Sequence, residues 1–254
     1  MTGFWRGRSV LITGHTGFKG SWLAHWLLLR GAEVHGLALA PDTSPALFDQ
    51  LGLAARLDHA LGDIRSEAVV RRRVAEVQPD VVFHLAAQPL VRRSYREPVA
   101  TFATNVMGTA HLLDAVRELA REVALVVVTT DKVYENDERE HAYRETDRLG
   151  GHDPPSASKA AGEPGAGGYP QPFFGGGPVR LATARAGNVI GGGDWAEDRL
   201  IPDLVRAAIS GTPLVVRNPD AVRPWQHVLD PLAGYIRLAE KLAQGAPGAT
   251  DAFN

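Results

Sequence analysis

Short apolar runs alternate with helix-spaced apolar residues through the first half of the chain. Residues 9–13 (SVLIT) make a run of strand length, followed by a glycine-rich stretch. An apolar, helix-like segment then covers 18–30, and Gly31 is suited to end it. Residues 33–38 predict a second strand, and a third is expected just before Asp63. In 66–77 (SEAVVRRRVAEV), Val69, Val70, Val74 and Val77 share one face of an amphipathic helix. Residues 80–85 (DVVFHL) predict a strand, 98–120 one long helix, and 123–129 (VALVVVT) another buried strand. Continuous Val/Ile/Leu strands are buried on both faces, which marks a parallel sheet covered by helices. The pattern predicts an α/β fold, a doubly wound parallel sheet of Rossmann type with right-handed crossovers. Residues 179–185 predict a later strand of that sheet, and 201–210 and 230–244 two helices. No internal repeat is visible.

One block breaks the pattern. Between 154 and 178 stand six Pro and seven Gly. An interior Pro costs a helix about 3 kcal/mol and Gly about 1 kcal/mol, so the second half of this block is not expected to form a regular helix.

At 254 residues, with 44% hydrophobic and 22% charged residues, the chain can bury a substantial core. A net charge of −2 gives no reason to expect nucleic acid or a membrane as partner. Cysteine is absent, which removes disulfides, thiolate metal sites and a Cys nucleophile; no metal site is expected. The chain shows no signal peptide and no apolar run of membrane-spanning length, and a cytoplasmic setting is expected. Of 27 basic side chains only four are Lys, and Lys19, Lys132 and Lys159 fall inside the motifs below.

Gly14, Gly17 and Gly20 form GxxGxxG at the first strand-to-helix junction. Such a turn needs a residue tolerant of positive φ, and a pyrophosphate needs backbone N–H groups free of a Cβ beside a helix N-terminus. A plain glycine-rich turn is the alternative. Asp63 can accept a hydrogen bond from an adenine or be a solvated turn residue. Ala86, Ala87 and Gln88 follow the fourth strand, where small side chains let a cofactor lie close. Asp42 follows the second strand, where an acidic residue can grip ribose hydroxyls, although it sits late, beyond Pro41.

These motifs resemble the extended short-chain dehydrogenase/reductase family. GHTGFKGSWL (14–23), FHLAAQPLVRRSY (83–95), NVMGT (105–109), TDKVY (130–134), GGHDP (150–154), RAGNVIGGGDWAEDRLIPD (185–203) and RNPDAVRPWQHVLDPLAGY (217–235) are similar to its nucleotide-sugar dehydratase branch, in particular to the 4,6-dehydratases of CDP-glucose. The resemblance runs from about residue 9 to 254. It implies a hydro-lyase using tightly bound NAD on a CDP-sugar. Carbon 4 is oxidised by hydride transfer, water leaves across carbons 5 and 6, and the hydride returns to carbon 6 to give a 4-keto-6-deoxy sugar nucleotide. The 4-keto group acidifies the carbon-5 proton, so oxidation must come first.

By this resemblance Thr130 holds the oxygen at carbon 4, Asp131 protonates the departing hydroxyl at carbon 6, and Lys132 takes the carbon-5 proton. Relatives acting on other sugar nucleotides carry Glu where Lys132 stands. Phe18, Ile64, Asn105, Thr129 and Lys159 join the glycines, Asp42, Asp63 and 86–88 as cofactor-binding positions. Asn188, Asp194, Trp195, Arg199, Arg217 and Arg223 are the implied substrate-binding residues, with Asn188 and Arg223 on the diphosphate. For Arg199 a surface salt bridge is the alternative.

The family's Tyr-x-x-x-Lys motif reads PSASK here. Lys159 is present, but Pro155 stands where the Tyr removes the carbon-4 hydroxyl proton. Tyr169 has no Lys four residues on and is not a replacement. The family implies a homodimer or homotetramer built partly on the helix after the Lys, which the Gly/Pro block disrupts. Residues 1–185 are expected to form the dinucleotide-binding domain, with 226–245 returning to it. Residues 186–254 are expected to be a small, incomplete substrate-binding lobe, because the family continues beyond this point. An impaired dehydratase is the leading reading. A catalytically dead nucleotide-binding homologue and an enzyme acting on another nucleotide sugar are the alternatives.

Overall fold

The computed structural model describes residues 3–136, 140–163, 174 and 177–254. Seven strands form one sheet: β1 (Ser9–Thr13), β2 (Glu33–Ala38), β3 (Asp58–Leu61), β4 (Val81–His84), β5 (Val123–Val128), β6 (Val179–Ala184) and β9 (Ala252–Phe253). Their order is β3-β2-β1-β4-β5-β6-β9, and every pairing is parallel. The order reverses between β1 and β4, so the crevice at the carboxyl ends of those strands is where such a sheet takes a ligand. β7 (Asn188–Ile190) and β8 (Trp225–His227) pair separately.

The central strands feed two cores. Val10, Ile12, Phe83 and Val126 face α1 (Phe18–Leu29) and the last helix, here α9 (Leu229–Ala243). Leu11, Val82, Leu125 and Val127 face α3 (Glu67–Val77) and α6 (Gly108–Arg117). This is why these strands read as unbroken apolar runs.

One expectation needs correction. Residues 98–120 are not one regular helix: α5 (Pro98–Phe102) passes through a π turn at Ala103–Met107 into α6. The widened turn turns Asn105 inward, where it is buried and bonded to Gln88 and Ser158. α2 (Leu47–Gln50) and α4 (Val91–Arg96) are short helices that the apolar pattern did not indicate. In the Gly/Pro block the first eight residues do form a helix, α7 (Pro154–Ala161). Its two prolines occupy the first turn, where their missing N–H groups cost nothing, and the Asp153 carboxylate accepts from Ser156 N at 2.9 Å. Tyr169, Pro164 and Gly165 lie outside the described residues. α8 (Leu200–Ser210) follows the β7 segment. Among the described residues no helix is long and apolar enough to cross a membrane.

Candidate active site

Gly14 leaves β1 with φ +78°, and a Cβ there would stand 2.7 Å from Ala86 N at the end of β4. A Cβ on Gly20 would stand 2.1 Å from Gly14 O. These two glycines therefore let α1 and the 86–88 segment close tightly around the turn. Gly17 meets nothing nearer than 3.4 Å and caps α1 without a side-chain hydrogen bond. The start of α1 thus presents unshielded backbone at the sheet's switch point, a cradle that fits a dinucleotide pyrophosphate. Phe18 sits there beside Gly191.

Two groups of polar side chains hang over this cradle. At the carboxyl end of β5, Thr130 Oγ1 donates to Asp131 Oδ1 at 2.9 Å. Lys132 Nζ lies 3.7 Å from Asp131 Oδ1 and donates to Asn188 Oδ1 at 3.2 Å. The structure therefore joins Thr130, Asp131 and Lys132 to the implied substrate residue Asn188. From α7, Lys159 Nζ donates to Val128 O at 3.0 Å. Burial lowers its pKa to about 8, opposed by the Glu163 carboxylate. Pro155, one turn earlier on the same helix, is buried and offers no ionisable group.

Lys19 stands out more clearly than its sequence context suggests. Its ammonium donates to Tyr235 Oη at 3.5 Å. Burial first, then the charges of Lys159, Arg199 and Lys132, lower its pKa to about 7. Three of the four lysines thus share one neighbourhood.

Behind the cradle runs a chain of buried hydrogen bonds. His84 shares one with Thr13 Oγ1 at 2.6 Å and another with Thr109 Oγ1 at 3.0 Å. Thr109 donates to Asn105 O at 2.7 Å, and Asn105 Nδ2 donates to Ser158 Oγ at 2.8 Å, beside Lys159. Gln88 N donates to Asn105 Oδ1 at 2.8 Å. Burial holds His84 neutral, with a pKa near 3. Thr129 donates to Glu163 at 2.6 Å.

The remaining sequence-indicated residues are more dispersed. Asp63 is held by Arg65 at 2.5 Å, which lowers its pKa, while neighbouring Ile64 packs on Gly108. Asp42 is exposed and 3.4 Å from Arg93. Asp194 pairs with Arg199 at 3.1 Å, so for Arg199 an ion pair is what the structure holds. Asp194 and Trp195 line a cavity of about 200 Å³ with Ile190 and Pro202. Arg217 is held by Asp198 at 2.9 Å, and Arg223 donates to Val222 O. A larger cavity, about 700 Å³, lies between α9 and β9. It borders none of Thr130, Asp131, Lys132 or Lys159, so volume does not mark the site. Tyr235, His84 and Glu163 were missed by sequence reasoning. For Glu163 the available signal was its spacing, four residues after Lys159.

The chain is similar to known proteins over most of its length. The family model described as GDP-mannose 4,6 dehydratase matches residues 11–249. The CDP-glucose 4,6-dehydratase of Salmonella typhimurium is 50% identical over 244 residues, covering 94% of this chain and 68% of that protein. The dTDP-glucose 4,6-dehydratase of Xanthomonas campestris is 33% identical over 251 residues, covering 94% and 69%. The dTDP-glucose 4,6-dehydratase of Streptomyces venezuelae, solved with NAD bound, superposes with a TM-score of 0.76 at 28% identity, covering 96% of this chain and 74% of that one.

Proposed function

The chain belongs to the GDP-mannose 4,6 dehydratase family, and on that premise we propose that it is an NAD-dependent CDP-glucose 4,6-dehydratase with its elimination residues in place and its carbon-4 base position filled by Pro155. The observation that carries this reading is the Thr130–Asp131–Lys132 turn. It stands at the end of β5 in contact with Asn188, beside Lys159 and the glycine cradle.

Bound NAD supplies a reversible hydride acceptor for carbon 4 of the sugar. The chain's own residues do the rest. Gly14, Gly17 and Gly20 bring backbone N–H groups to the pyrophosphate, and Lys159 holds the cofactor by its ammonium. Thr130 Oγ1 orients the oxygen on carbon 4. Once carbon 4 is a ketone, Lys132 Nζ accepts the carbon-5 proton, a role that needs the free amine. Asp131 protonates the hydroxyl leaving carbon 6. Water is released across carbons 5 and 6; the hydride taken from carbon 4 would then return to carbon 6 with a proton added at carbon 5, so that the cofactor is unchanged overall and the product is CDP-4-keto-6-deoxyglucose. Asn188 and Arg223 fit the diphosphate by charge and hydrogen bonding. Asp194, Trp195 and Arg199 form the wall on the sugar side, with Arg217 further out.

Pro155 supplies no proton acceptor, so oxidation at carbon 4 is the impaired step. A positioned base typically contributes about 10²- to 10⁴-fold. The family also implies assembly of two or four copies, and exposed Val99, Phe102 and Met107 are apolar side chains that such an interface would cover. Residues 1–185 with 226–245 serve as the dinucleotide-binding unit, and 186–254 contribute to the substrate lobe.

The test combines ligand binding and turnover. NAD together with CDP-glucose should raise the melting temperature more than NAD with dTDP-glucose. The unmodified chain should form little 4-keto product, and Pro155→Tyr should form more. Equal protection by both sugar nucleotides would remove the CDP assignment, and strong activity in the unmodified chain would show that another base serves carbon 4.

A further inference from the structure

The loop between β7 and α8, residues 191–199, is fastened on both sides of the crevice. On one side it meets α1 and α2. Trp22 Nε1 donates to Gly192 O at 2.9 Å, and a Cβ on Gly193 would stand 2.6 Å from Leu47 Cδ1. Its middle is closed on α8, where Arg206 donates to Trp195 O and Ala196 O, both at 3.1 Å. Its far end meets α4. Arg93 lies 3.1 Å and Arg96 3.7 Å from Glu197, and Arg92 lies 3.3 Å from Asp198. Helix α4 is itself tied to the segment after β4, because Leu90 N donates to Gln88 Oε1 at 2.6 Å. The loop therefore runs from the helix that follows β1 to the helix that follows β4, across the strand ends where the sheet order reverses.

The far end carries two unusual features. Three arginines on a six-residue helix meet two consecutive acids. Asp198 also has φ +59°, one of two non-glycine residues with positive φ among the described residues. Asp and Asn tolerate this backbone better than most side chains. These ion pairs are partly exposed, so each contributes little to the stability of the fold. Small energies matter more for where a surface loop rests, because loops lie at the low end of local stability.

We propose that Arg92, Arg93 and Arg96 are positioning residues for the sugar-side wall. Through Glu197 and Asp198 they hold Asp194, Trp195 and Arg199 over the crevice, so sugar-nucleotide affinity depends on charges that touch no ligand. This rests on the reading of Asp194, Trp195 and Arg199 as that wall, given above. Glu197→Gln is the cleaner probe, since Asp198 also holds Arg217 at 2.9 Å. Asp198→Asn keeps the tolerance of positive φ and loses only the charge.

The test uses the full chain loaded with NAD. Glu197→Gln, Asp198→Asn and the double variant are compared with the unmodified chain by hydrogen exchange at residues 194–198 and by titration with CDP-glucose. Arg71→Gln, which cuts ion pairs to Glu67, Asp114 and Glu118 away from the crevice, is the control. Each single variant should exchange faster at 194–198 and bind CDP-glucose about two- to fivefold more weakly. At about 1 M salt, where the Debye length is about 3 Å, the difference from the unmodified chain should close. Unchanged exchange at 194–198 in the double variant overturns the proposal. Faster exchange with unchanged CDP-glucose affinity overturns the positioning role and leaves the substrate reading standing. An equal loss of affinity in Arg71→Gln assigns the effect to general destabilisation and overturns it as well. An unmodified chain that binds NAD but no CDP-glucose overturns the substrate reading, and the positioning role with it.

Discussion

Burial lowers the proton affinity of both Lys19 and Lys159, and the Lys159 charge lowers that of Lys19 further. For Lys19 this has a measurable sign. Its pKa of about 7 in the fold lies below the ordinary 10.5, so between those values the unfolded chain carries a proton that the folded chain lacks. Stability then rises with pH across that window, and below pH 7 the buried charge is a full penalty. Lys19→Met should therefore raise the melting temperature most at pH 6 to 7, and the gain should shrink steadily toward pH 10. A gain that is constant or grows with pH would contradict the assignment; parallel melting curves from pH 6 to 10 for both proteins provide the check. The sequence showed Lys19 inside the glycine motif but not its burial, because the hydroxyl that meets it belongs to Tyr235, 216 residues away. Thr130, Asp131 and Lys132 were singled out by the family resemblance of the string after β5; their place after a strand, taken alone, reads as a solvated Asp–Lys pair. Glu163 was not, because its partners Thr129 and Arg185 come from two other strand ends.

At the scale of elements, the alternation of strands and helices was readable because the central strands β1, β4, β5 and β6 are largely buried on both faces and read as near-continuous apolar runs. The π turn was not, because apolar spacing continues through 98–117 and nothing local marks the extra residue. Its cause is tertiary: Asn105 must reach the segment after β4 and the helix α7 together. The part-buried Gln88 N–H depends on that one amide, and the enclosed Ser158 Oγ accepts from it while donating to Pro155 O. Asn105→Ala should cost about 1–3 kcal/mol, the penalty for orphaning a buried polar group. It should also loosen the loop at 86–88, so NAD affinity should fall along with stability. Urea unfolding and a cofactor titration on the same variant test this. A loss of stability with unchanged NAD affinity would show that the clamp does not extend to the cradle.

At the scale of the whole fold, the segment before β1 is tied to α9. Trp5 has no exposed surface, packs in the core with Val10, Phe83 and Leu232, and donates through Nε1 to Glu240 Oε1 at 2.7 Å. Glu240 is also met by Arg237 at 3.2 Å and Arg30 at 3.7 Å. α9, with Leu232, Ile236 and Leu242 in this same core, lies against β5 and β6, so it belongs energetically with the strands that carry the site. A helix fastened in this way has no independent stability, and the chain should unfold through it rather than around it. Trp5→Ala removes the largest enclosed side chain and the donor to Glu240 together, and should cost about 3–5 kcal/mol. If the closure is cooperative, the loss reaches amides far from residue 5. Hydrogen exchange should show the slowest amides of α9 and of β1 losing protection by the same free energy, equal to the drop in global stability measured in urea. Loss of protection confined to residues 3–8, with α9 unchanged, would mean that the two segments only touch and that α9 is held by the sheet alone.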